Sequence, residues 1–278
     1  MSEHTALVSR PAGTIPGMRT DVAAWLTVDS PAPATALLQL AVASPAAEQL
    51  TVISDGQPLA AQEFEVDGAR VHRLQLHAGH TTIAYSASAE DGGPSRAVTP
   101  AEWAAALRPS RYCPSDQLEG FALTEFDKSL PRAQLVQAVA SWVHDRLIYT
   151  SGASRPVDTA VDTLLAGRGV CRDYAHLTVT LLRALEIPAR LVAVYAPGLD
   201  PMDFHAVAEA DVDGTWCVVD ATRLAPTSSL VRICSGRDAA DTAFLSLFGG
   251  VAQLGEMTVT ATTAGELPTP DEAPFPLP

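Results

Sequence analysis

A cysteine follows two glycines in the stretch GRGVCRDYAH, residues 167–176, and directly precedes an apolar-periodic run that predicts a helix. If the helix begins at Cys171, its sulfur lies at the positive end of the helix dipole, which favours the nucleophilic thiolate. The Cys171 N–H would also lack a helical acceptor, so it could bind the oxygen of an attacked carbonyl group. Gly167 and Gly169 would let the backbone approach a substrate closely. This pattern predicts that Cys171 is a nucleophile.

A thiol nucleophile needs a general base, and the base needs a partner that orients it. His205 opens one apolar run, and Asp220 closes the next run. The Asp213-Gly214 pair between the two runs is typical of a hairpin turn. Both side chains can therefore lie near the same end of a hairpin, close enough to hydrogen-bond. The order Cys171, His205, Asp220 fits a cysteine triad by role.

Two further residues close to the triad in sequence are candidates for substrate binding. Tyr174 lies early in the predicted helix and would either line the cleft or pack in the core. Asp203 precedes His205 in a loop, where its carboxylate would contact substrate or solvent. Asp173 is predicted to cap the helix, because the dipole stabilises a carboxylate in the first turn. The remaining candidates are predicted to be structural: Arg190 as an ion-pair partner, and Cys113, Cys217 and Cys234 as small apolar side chains.

The elements that must position these residues change character along the chain. Residues 1–100 carry short alternating runs between turn sequences, which predicts a small β-sandwich or barrel-like domain. A polar, glycine-rich linker is expected at residues 90–96. Residues 101–264 are predicted to form an α+β core, in which a nucleophile helix packs on an antiparallel sheet. Residues 265–278 are proline-rich and acidic, which predicts a disordered tail.

Hydrophobic periodicity gives the expected bounds of these elements. The strands predicted in the N-terminal domain are Val22–Val28, Ala36–Val42, Leu50–Ile53, Val71–Leu76 and Thr81–Tyr85. The helices predicted in the core are Leu135–Leu147, Val157–Leu165 and Cys171–Leu185. The strands predicted after them are Leu191–Tyr195, His205–Val212 and Trp216–Asp220.

Composition excludes several classes of protein. The net charge is −14, which argues against binding to nucleic acid or to an anionic membrane surface. The four cysteines include no CxxC pair and are too few for a disulfide scaffold. No signal peptide and no apolar run of about 18 residues is evident in the sequence. We therefore expect a cytoplasmic protein without a metal or an organic cofactor.

Three blocks of sequence carry a resemblance to a known family. The stretch GRGVCRDYAHLTVTLLRALEIPARLVAVY resembles the cysteine motif of the transglutaminase-like superfamily, and DFHAVAEADVDGTWCVVDAT resembles its histidine and aspartate motifs. The stretch PSRYCPSD resembles the segment that opens the core of bacterial members, which carry a β-rich N-terminal domain. The resemblance implies a papain-like or transglutaminase-like core that acts on a protein or peptide amide. It also implies that Cys171 is the nucleophile, His205 the general base and acid, and Asp220 its orienting partner.

The sequence leaves the acceptor of the acyl group open. Transfer to water would make the protein a protease or amidase, and transfer to a lysine amine would make it a transglutaminase. We favour hydrolysis, because no feature of the sequence indicates an amine site that keeps water out. A non-catalytic scaffold that keeps the fold is also compatible with the sequence, and so is an NlpC- or papain-like peptidase. The oligomeric state is left open as well.

Overall fold

A computed structural model describes residues 19–90, 95–269 and 272–278. Two antiparallel sheets form a strand-rich region, and helices packed on a further sheet form the core. Three predicted segments lie partly outside the described ranges: the start of the N-terminal domain, at residues 1–18, the linker, at residues 91–94, and the C-terminal tail, at residues 270–271. No helix in the described residues combines the length and the apolar character that a membrane crossing needs.

The elements have the following bounds. The strands are β1 (Arg19–Ser30), β2 (Ala34–Leu38), β3 (Ala47–Ser54), β4 (Gln57–Pro58), β5 (Gln62–Val66), β6 (Ala69–Leu76), β7 (Gly79–Glu90), β8 (Ile148–Tyr149), β9 (Arg168–Gly169), β10 (Ala189–Tyr195), β11 (Phe204–Val212), β12 (Thr215–Val219), β13 (Val231–Gly236), β14 (Leu245–Phe248) and β15 (Gln253–Thr263). The helices are α1 (Pro100–Ala105), α2 (Glu119–Glu125), α3 (Arg132–Arg146), α4 (Ala160–Ala166) and α5 (Cys171–Ala184).

The strand-rich region is a pair of antiparallel sheets. One sheet has the order β15-β1-β7-β3-β4 and the other has the order β14-β2-β6-β5. Alternation along each strand buries one face: in β1, Val22, Ala24 and Leu26 are buried, whereas Asp21 and Trp25 are exposed. The buried faces of both sheets contribute to one hydrophobic cluster. The predicted α+β class with a strand-rich N-terminal region is confirmed.

The boundary predicted for the core at residue 264 is wrong, because residues 245–263 belong to the strand-rich region. β15 pairs with β1 along most of its length, and β14 pairs with β2. Without these partners, β1 and β2 would each expose an edge of unpaired N–H and C=O groups. In β15, buried Val259 and Ala261 also extend the alternating inner face. The chain therefore leaves the core and returns to complete both sheets.

The core places its most buried helix, α5, against one face of a sheet. The sheet has the order β12-β11-β10-β13, and α5 contacts β10, β11, α3 and α4. Leu177, Leu181 and Leu182 of α5 pack with Val139 and Val143 of α3 in one hydrophobic cluster. This is the predicted arrangement, with a nucleophile helix on an antiparallel sheet.

The hairpin β11–β12 closes through the predicted Asp-Gly turn. Asp213 and Gly214 both have a positive φ, of 52° and 84°, as a tight turn between antiparallel strands requires. The turn fixes the register, in which Ala208 of β11 lies opposite Val219 of β12. The residues just outside this paired segment, at the open end of the hairpin, are those that the triad needs.

The strand-rich region and the core share buried surface. Tyr195 of β10 donates a hydrogen bond from Oη to the Leu40 carbonyl oxygen at 2.8 Å, and the Ala43 N–H donates to the Arg232 carbonyl oxygen at 2.9 Å. Ile233 of β13 is buried in the same hydrophobic cluster as the two sheets of the strand-rich region. The first region therefore buttresses the sheet that carries the predicted catalytic histidine.

The end of the chain, which we predicted to be disordered, packs on the core. Phe275 and Val218 of β12 exchange two backbone hydrogen bonds of 2.7 and 2.9 Å. Leu277 is buried in the cluster formed by β10, β11 and β12. The prediction rested on proline content and acidity, whereas Phe275 supplies an N–H for pairing and Leu277 supplies apolar area to bury.

Candidate active site

Cys171 is the first residue of α5, as the sequence predicts. Asp173 accepts a hydrogen bond from the Val170 N–H at 2.8 Å, which confirms that its carboxylate caps the helix. Gly169 allows this contact, because a Cβ at that position would lie only 2.6 Å from the Cβ of Asp173. In the described part of the chain the Cys171 N–H donates to no backbone carbonyl. The nucleophile candidate therefore carries a backbone donor, outside the helical ladder, beside its thiol.

His205 and Asp220 meet at the open end of the β11–β12 hairpin. His205 Nε2 lies 2.8 Å from Asp220 Oδ2, and both side chains are almost fully buried. The second carboxylate oxygen, Oδ1, accepts from the Thr222 N–H at 2.8 Å and from its hydroxyl at 2.7 Å. These donors fix the carboxylate, and the carboxylate in turn fixes the imidazole ring. The predicted contact between His205 and Asp220 is thus present.

The electrostatics of this pair favour an imidazolium beside a carboxylate. Burial by itself lowers the pKa of His205, but the Asp220 carboxylate and the Cys171 thiol raise it, for a net rise to about 10. Burial raises the pKa of Asp220, yet the His205 ring and the Thr222 donors hold it below its ordinary value. His205 is therefore charged at neutral pH, which suits a group that stabilises a neighbouring thiolate.

The second nitrogen of His205 is left for the thiol. Nδ1 is buried and makes no hydrogen bond within the described ranges. The Cys171 thiol is close enough to raise the pKa of His205. Nδ1 is therefore the nitrogen that can exchange a proton with this thiol. Contacts of this kind are often long in free enzymes and tighten when substrate binds. The structure therefore brings all three predicted triad residues into one site.

Cys171 differs from the other cysteines in its accessibility. Its side chain is partly exposed, whereas Cys113, Cys217 and Cys234 are buried. Burial raises the pKa of Cys113 to about 12, that of Cys217 to about 11 and that of Cys234 to about 12. These three thiols stay protonated at neutral pH, which agrees with their predicted structural role.

The two residues predicted to bind substrate have different surroundings. Tyr174 is only 3% exposed, and its hydroxyl donates to the Leu147 carbonyl oxygen at 2.8 Å, so of its two predicted positions it takes the one in the core, which does not support a role in substrate binding. The first turn of α5 points this ring into the core. Asp203 is exposed just before β11 and accepts from the Phe204 N–H at 2.7 Å. No ion pair holds its carboxylate among the residues that the structure describes.

The cleft tyrosine that sequence reasoning missed is Tyr149. It lies on the two-residue strand β8, pairs with Gly169 of β9 and is 43% exposed. Its ring contacts that of Tyr174, with 5.9 Å between the ring centroids. No motif or spacing singles it out in the sequence, because 22 residues separate it from Cys171 and only the parallel pairing of β8 with β9 joins them.

Arg172 was also missed, and it shapes the wall next to the thiol. Its guanidinium donates to the Arg155 carbonyl oxygen at 2.8 Å and to the Ser154 hydroxyl at 3.2 Å. It also forms an ion pair with Asp173 at 2.9 Å. Arg172 therefore ties the loop after β8 to the first turn of α5 through its Nε and Nη2 donors.

Comparison with known proteins identifies the family. The family model described as the transglutaminase-like superfamily matches residues 123–221, which include Cys171, His205 and Asp220. A solved structure of a candidate cysteine protease from Cytophaga hutchinsonii is 32% identical, covers 94% of this chain and 98% of that chain, and superposes with a TM-score of 0.85.

Two curated relatives are uncharacterised mycobacterial proteins. The one from Mycobacterium leprae is 30% identical over 145 residues, which are 49% of this chain and 52% of that protein. The one from Mycobacterium tuberculosis is 31% identical over 106 residues, which are 38% of this chain and 33% of that protein. The chain thus spans about half the length, or less, of these curated relatives. From the family match and the full-length likeness to the Cytophaga structure, the chain belongs to the transglutaminase-like superfamily.

Proposed function

We propose that the protein is a cysteine-dependent hydrolase that cleaves amide bonds through Cys171, His205 and Asp220. The observation that carries the proposal is the buried His205–Asp220 contact of 2.8 Å, which leaves the other ring nitrogen free beside a thiol at a helix N-terminus. The likeness to a candidate cysteine protease over 98% of its chain supports the same class of activity. A Cys-His pair with a carboxylate partner is the arrangement that activates a thiol for attack on a carbonyl carbon.

Acylation uses the groups in the order in which they lie. The Cys171 thiolate attacks the carbonyl carbon, and the carbonyl π electrons move to oxygen to give a tetrahedral oxyanion. The oxyanion then collapses, the C–N bond breaks, and the leaving amine takes the proton from His205 Nδ1. The products are a free amine and a thioester on Cys171, while Asp220 keeps the imidazole ring oriented.

Deacylation repeats the steps with water as the acceptor. Neutral His205 takes a proton from water as the hydroxyl attacks the thioester, and the C–S bond breaks to release the acid and the thiolate. We favour water over an amine because the Cys171 side chain is partly exposed, so solvent reaches the thioester. Release of the acid restores the imidazolium and the thiolate.

Acylation with p-nitrophenyl acetate tests this proposal without knowledge of the natural substrate. We expect a burst of nitrophenolate close to one equivalent and an acetyl group on Cys171, read by peptide mass spectrometry. Protein that was first alkylated at Cys171 is the matched control, and it should release no burst of nitrophenolate. A missing burst, or acetyl groups spread over other residues, would favour a non-catalytic scaffold.

The fate of the acetyl group separates the two possible acceptors. We expect acetate as the main product even when a primary amine such as lysine methyl ester is added. Predominant acetylation of the added amine would instead identify a transglutaminase.

Asp203 is proposed to contact the substrate through its charge. Burial and the Cys171 thiol raise the pKa of Tyr149 most, and the Asp203 carboxylate adds to that rise. Partial burial of the carboxyl group raises the pKa of Asp203 itself, whereas the Phe204 N–H and the His205 ring lower it. Asp203 therefore lies within electrostatic range of the cleft. We expect Asp203→Asn to raise KM about 2- to 5-fold for peptides with lysine beside the scissile amide, with kcat unchanged, as for an exposed ion pair. Peptides with norleucine in place of lysine are the control. An equal effect on both peptide series would show that the charge does not recognise substrate.

A further inference from the structure

The chain turns sharply at Asp220, directly after β12, and Arg223 closes this turn. The Arg223 N–H donates to the Asp220 carbonyl oxygen at 3.3 Å. Within the turn, Thr222 supplies both donors to Oδ1 of Asp220. The conformation of residues 220–223 therefore sets where the Asp220 carboxylate meets His205.

Arg223 adopts a backbone conformation that is unfavourable for an arginine. Its φ is 57°, in the left-handed region that residues with a Cβ seldom adopt. Arginine also lacks the short polar side chain with which asparagine and aspartate stabilise this conformation locally. Such a conformation persists only where the surrounding structure enforces it. At Arg223 the contacts of its own side chain do so.

The Arg223 guanidinium ties the turn to two elements that are distant in sequence. Nη2 donates to the Ser141 hydroxyl on α3 at 3.0 Å. Nη1 forms an ion pair with Glu272, in the C-terminal segment, at 3.1 Å. One side chain thus fastens the turn both to α3 and to the segment that packs on the core sheet.

Two further contacts join the same elements to the chain around Asp220. His144, on α3, lies with Nδ1 2.9 Å from the Ala221 carbonyl oxygen, which accepts its proton. Phe275, in the C-terminal segment, exchanges two backbone hydrogen bonds with Val218 just before the turn. Arg223 is the residue that contacts both elements at once, so its loss would loosen the turn on both sides.

We propose that Arg223 is a positioning residue, which holds the turn at residues 220–223 so that the Asp220 carboxylate faces His205. Arg223 acts through Asp220 and not on the reacting atoms. A triad depends on the mutual geometry of its members, and a displacement of about 1 Å can lower a rate about 10²-fold. This inference rests on the proposed function and adds to it the group that fixes the carboxylate in place.

Arg223→Asn tests the assignment, because asparagine tolerates the left-handed conformation but is too short to bind both Ser141 and Glu272. We expect the rate of acylation at saturating p-nitrophenyl acetate to fall about 10- to 10²-fold, with the half-saturating concentration within about twofold of the wild-type value. The pKa of His205, measured by NMR titration, should fall, because the carboxylate that raises it would be held less closely. A purely structural residue would change stability without moving this pKa.

Glu186→Asn is the matched control. Glu186 also has a positive φ, of 62°, and it also forms an ion pair, with Lys128. It follows the end of α5 that is opposite to Cys171. The substitution should therefore leave the rate of acylation and the pKa of His205 unchanged.

Ser141→Ala is the second variant, and it decides the question if Arg223→Asn does not fold. It removes only the acceptor on α3 and alters no strained backbone. We expect both changes in the same direction but smaller, with a fall in the acylation rate of about 3- to 10-fold, as for one lost hydrogen bond to a charged group. A wild-type rate and a wild-type pKa of His205 in this variant would overturn the assignment.

The outcomes separate this inference from the proposed function. If the wild type acylates and Arg223→Asn matches it in rate and in the pKa of His205, the positioning role is wrong and the hydrolase proposal stands. Slower acylation with an unchanged pKa of His205 would place the effect outside the His205–Asp220 pair and would also overturn the role. If the wild type does not acylate, the hydrolase proposal fails, and the pKa of His205 in Arg223→Asn still decides whether Arg223 positions Asp220.

Discussion

Asp220→Asn is expected to lower the rate of acylation by about 10⁴-fold, as when the orienting carboxylate of a triad is replaced by its amide. The Thr222 N–H and hydroxyl both donate to Oδ1 of Asp220 at 2.8 and 2.7 Å, so the amide oxygen of the variant must stay with them. Its NH₂ group would then face His205 Nε2. Since NH₂ donates, Nε2 must become the acceptor and the proton must move to Nδ1. The ring would then lack a base on the side of Cys171.

The same substitution also removes the charge that keeps His205 protonated. Because the Asp220 carboxylate is the main group that raises the pKa of His205, that pKa should fall in the variant, as an NMR titration would measure. Asp213→Asn, in the hairpin turn, is the matched control, because asparagine tolerates its φ of 52°. Acylation of the Asp220 variant within tenfold of the wild-type rate would mean that His205 does not depend on this carboxylate.

Glu209→Gln is expected to reduce the free energy of unfolding by about 3–5 kcal/mol, as for other broken buried ion pairs. Glu209 is fully buried on β11, and its two oxygens bind two buried arginines, with Arg190 at 2.7 Å and Arg232 on the other side. The Arg190 guanidinium also stacks on the Trp216 ring, 3.9 Å from its centroid. A neutral glutamine would leave the buried Arg232 without its carboxylate partner and would leave Arg190 with only the partly exposed Glu102. The prediction from sequence that Arg190 is a structural ion-pair partner is confirmed.

Glu102→Gln is the matched control for this loss. Glu102 also binds Arg190, at 2.7 Å, but its side chain is 28% exposed. Its loss should therefore cost about 1 kcal/mol or less. Denaturant titration of both variants and the wild type gives the comparison. Equal stability losses in the two variants would show that burial of the Glu209 network is not the cause.

The effect of Glu209 should depend on pH in one direction. Burial raises the pKa of Glu209, but Arg232 and Arg190 lower it more, so it lies below its ordinary value of 4.5. Its stabilisation is therefore complete above that value and is lost as the pH falls through the lower pKa of the folded state. The difference between wild type and Glu209→Gln should stay constant from about pH 5 to 8 and shrink at more acidic pH.

The proximity of Cys171, His205 and Asp220 could be predicted from the sequence because each residue lies at a marked boundary. Cys171 follows a glycine-rich end and begins a helix, and the Asp213-Gly214 turn sets the hairpin that brings His205 and Asp220 together. These are local rules of capping and turn geometry, which act within a few residues. The position of these three residues could therefore be predicted without knowing which distant segments of the chain pair.

Tyr149 and the final strands could not be predicted in the same way. Tyr149 reaches Cys171 only because β8 and β9 pair in parallel across a helix, and such pairing has no local signature. β15 pairs with β1 from the opposite end of the chain. The sequence left Tyr174 between the cleft and the core, and helix geometry turns it toward the core. The sequence-based predictions thus failed for residues whose position depends on contacts between segments that are distant in the chain.

The rate of iodoacetamide alkylation at each cysteine against pH, read by mass spectrometry, tests the central claim most directly. The buried Cys113, Cys217 and Cys234 serve as internal references. We predict that Cys171 alone reacts fast below about pH 7 in the wild type, and that His205→Ala abolishes this fast reaction. A Cys171 whose reactivity rises only near about pH 8.5 in both proteins, as for an ordinary thiol, would contradict the thiolate–imidazolium pair.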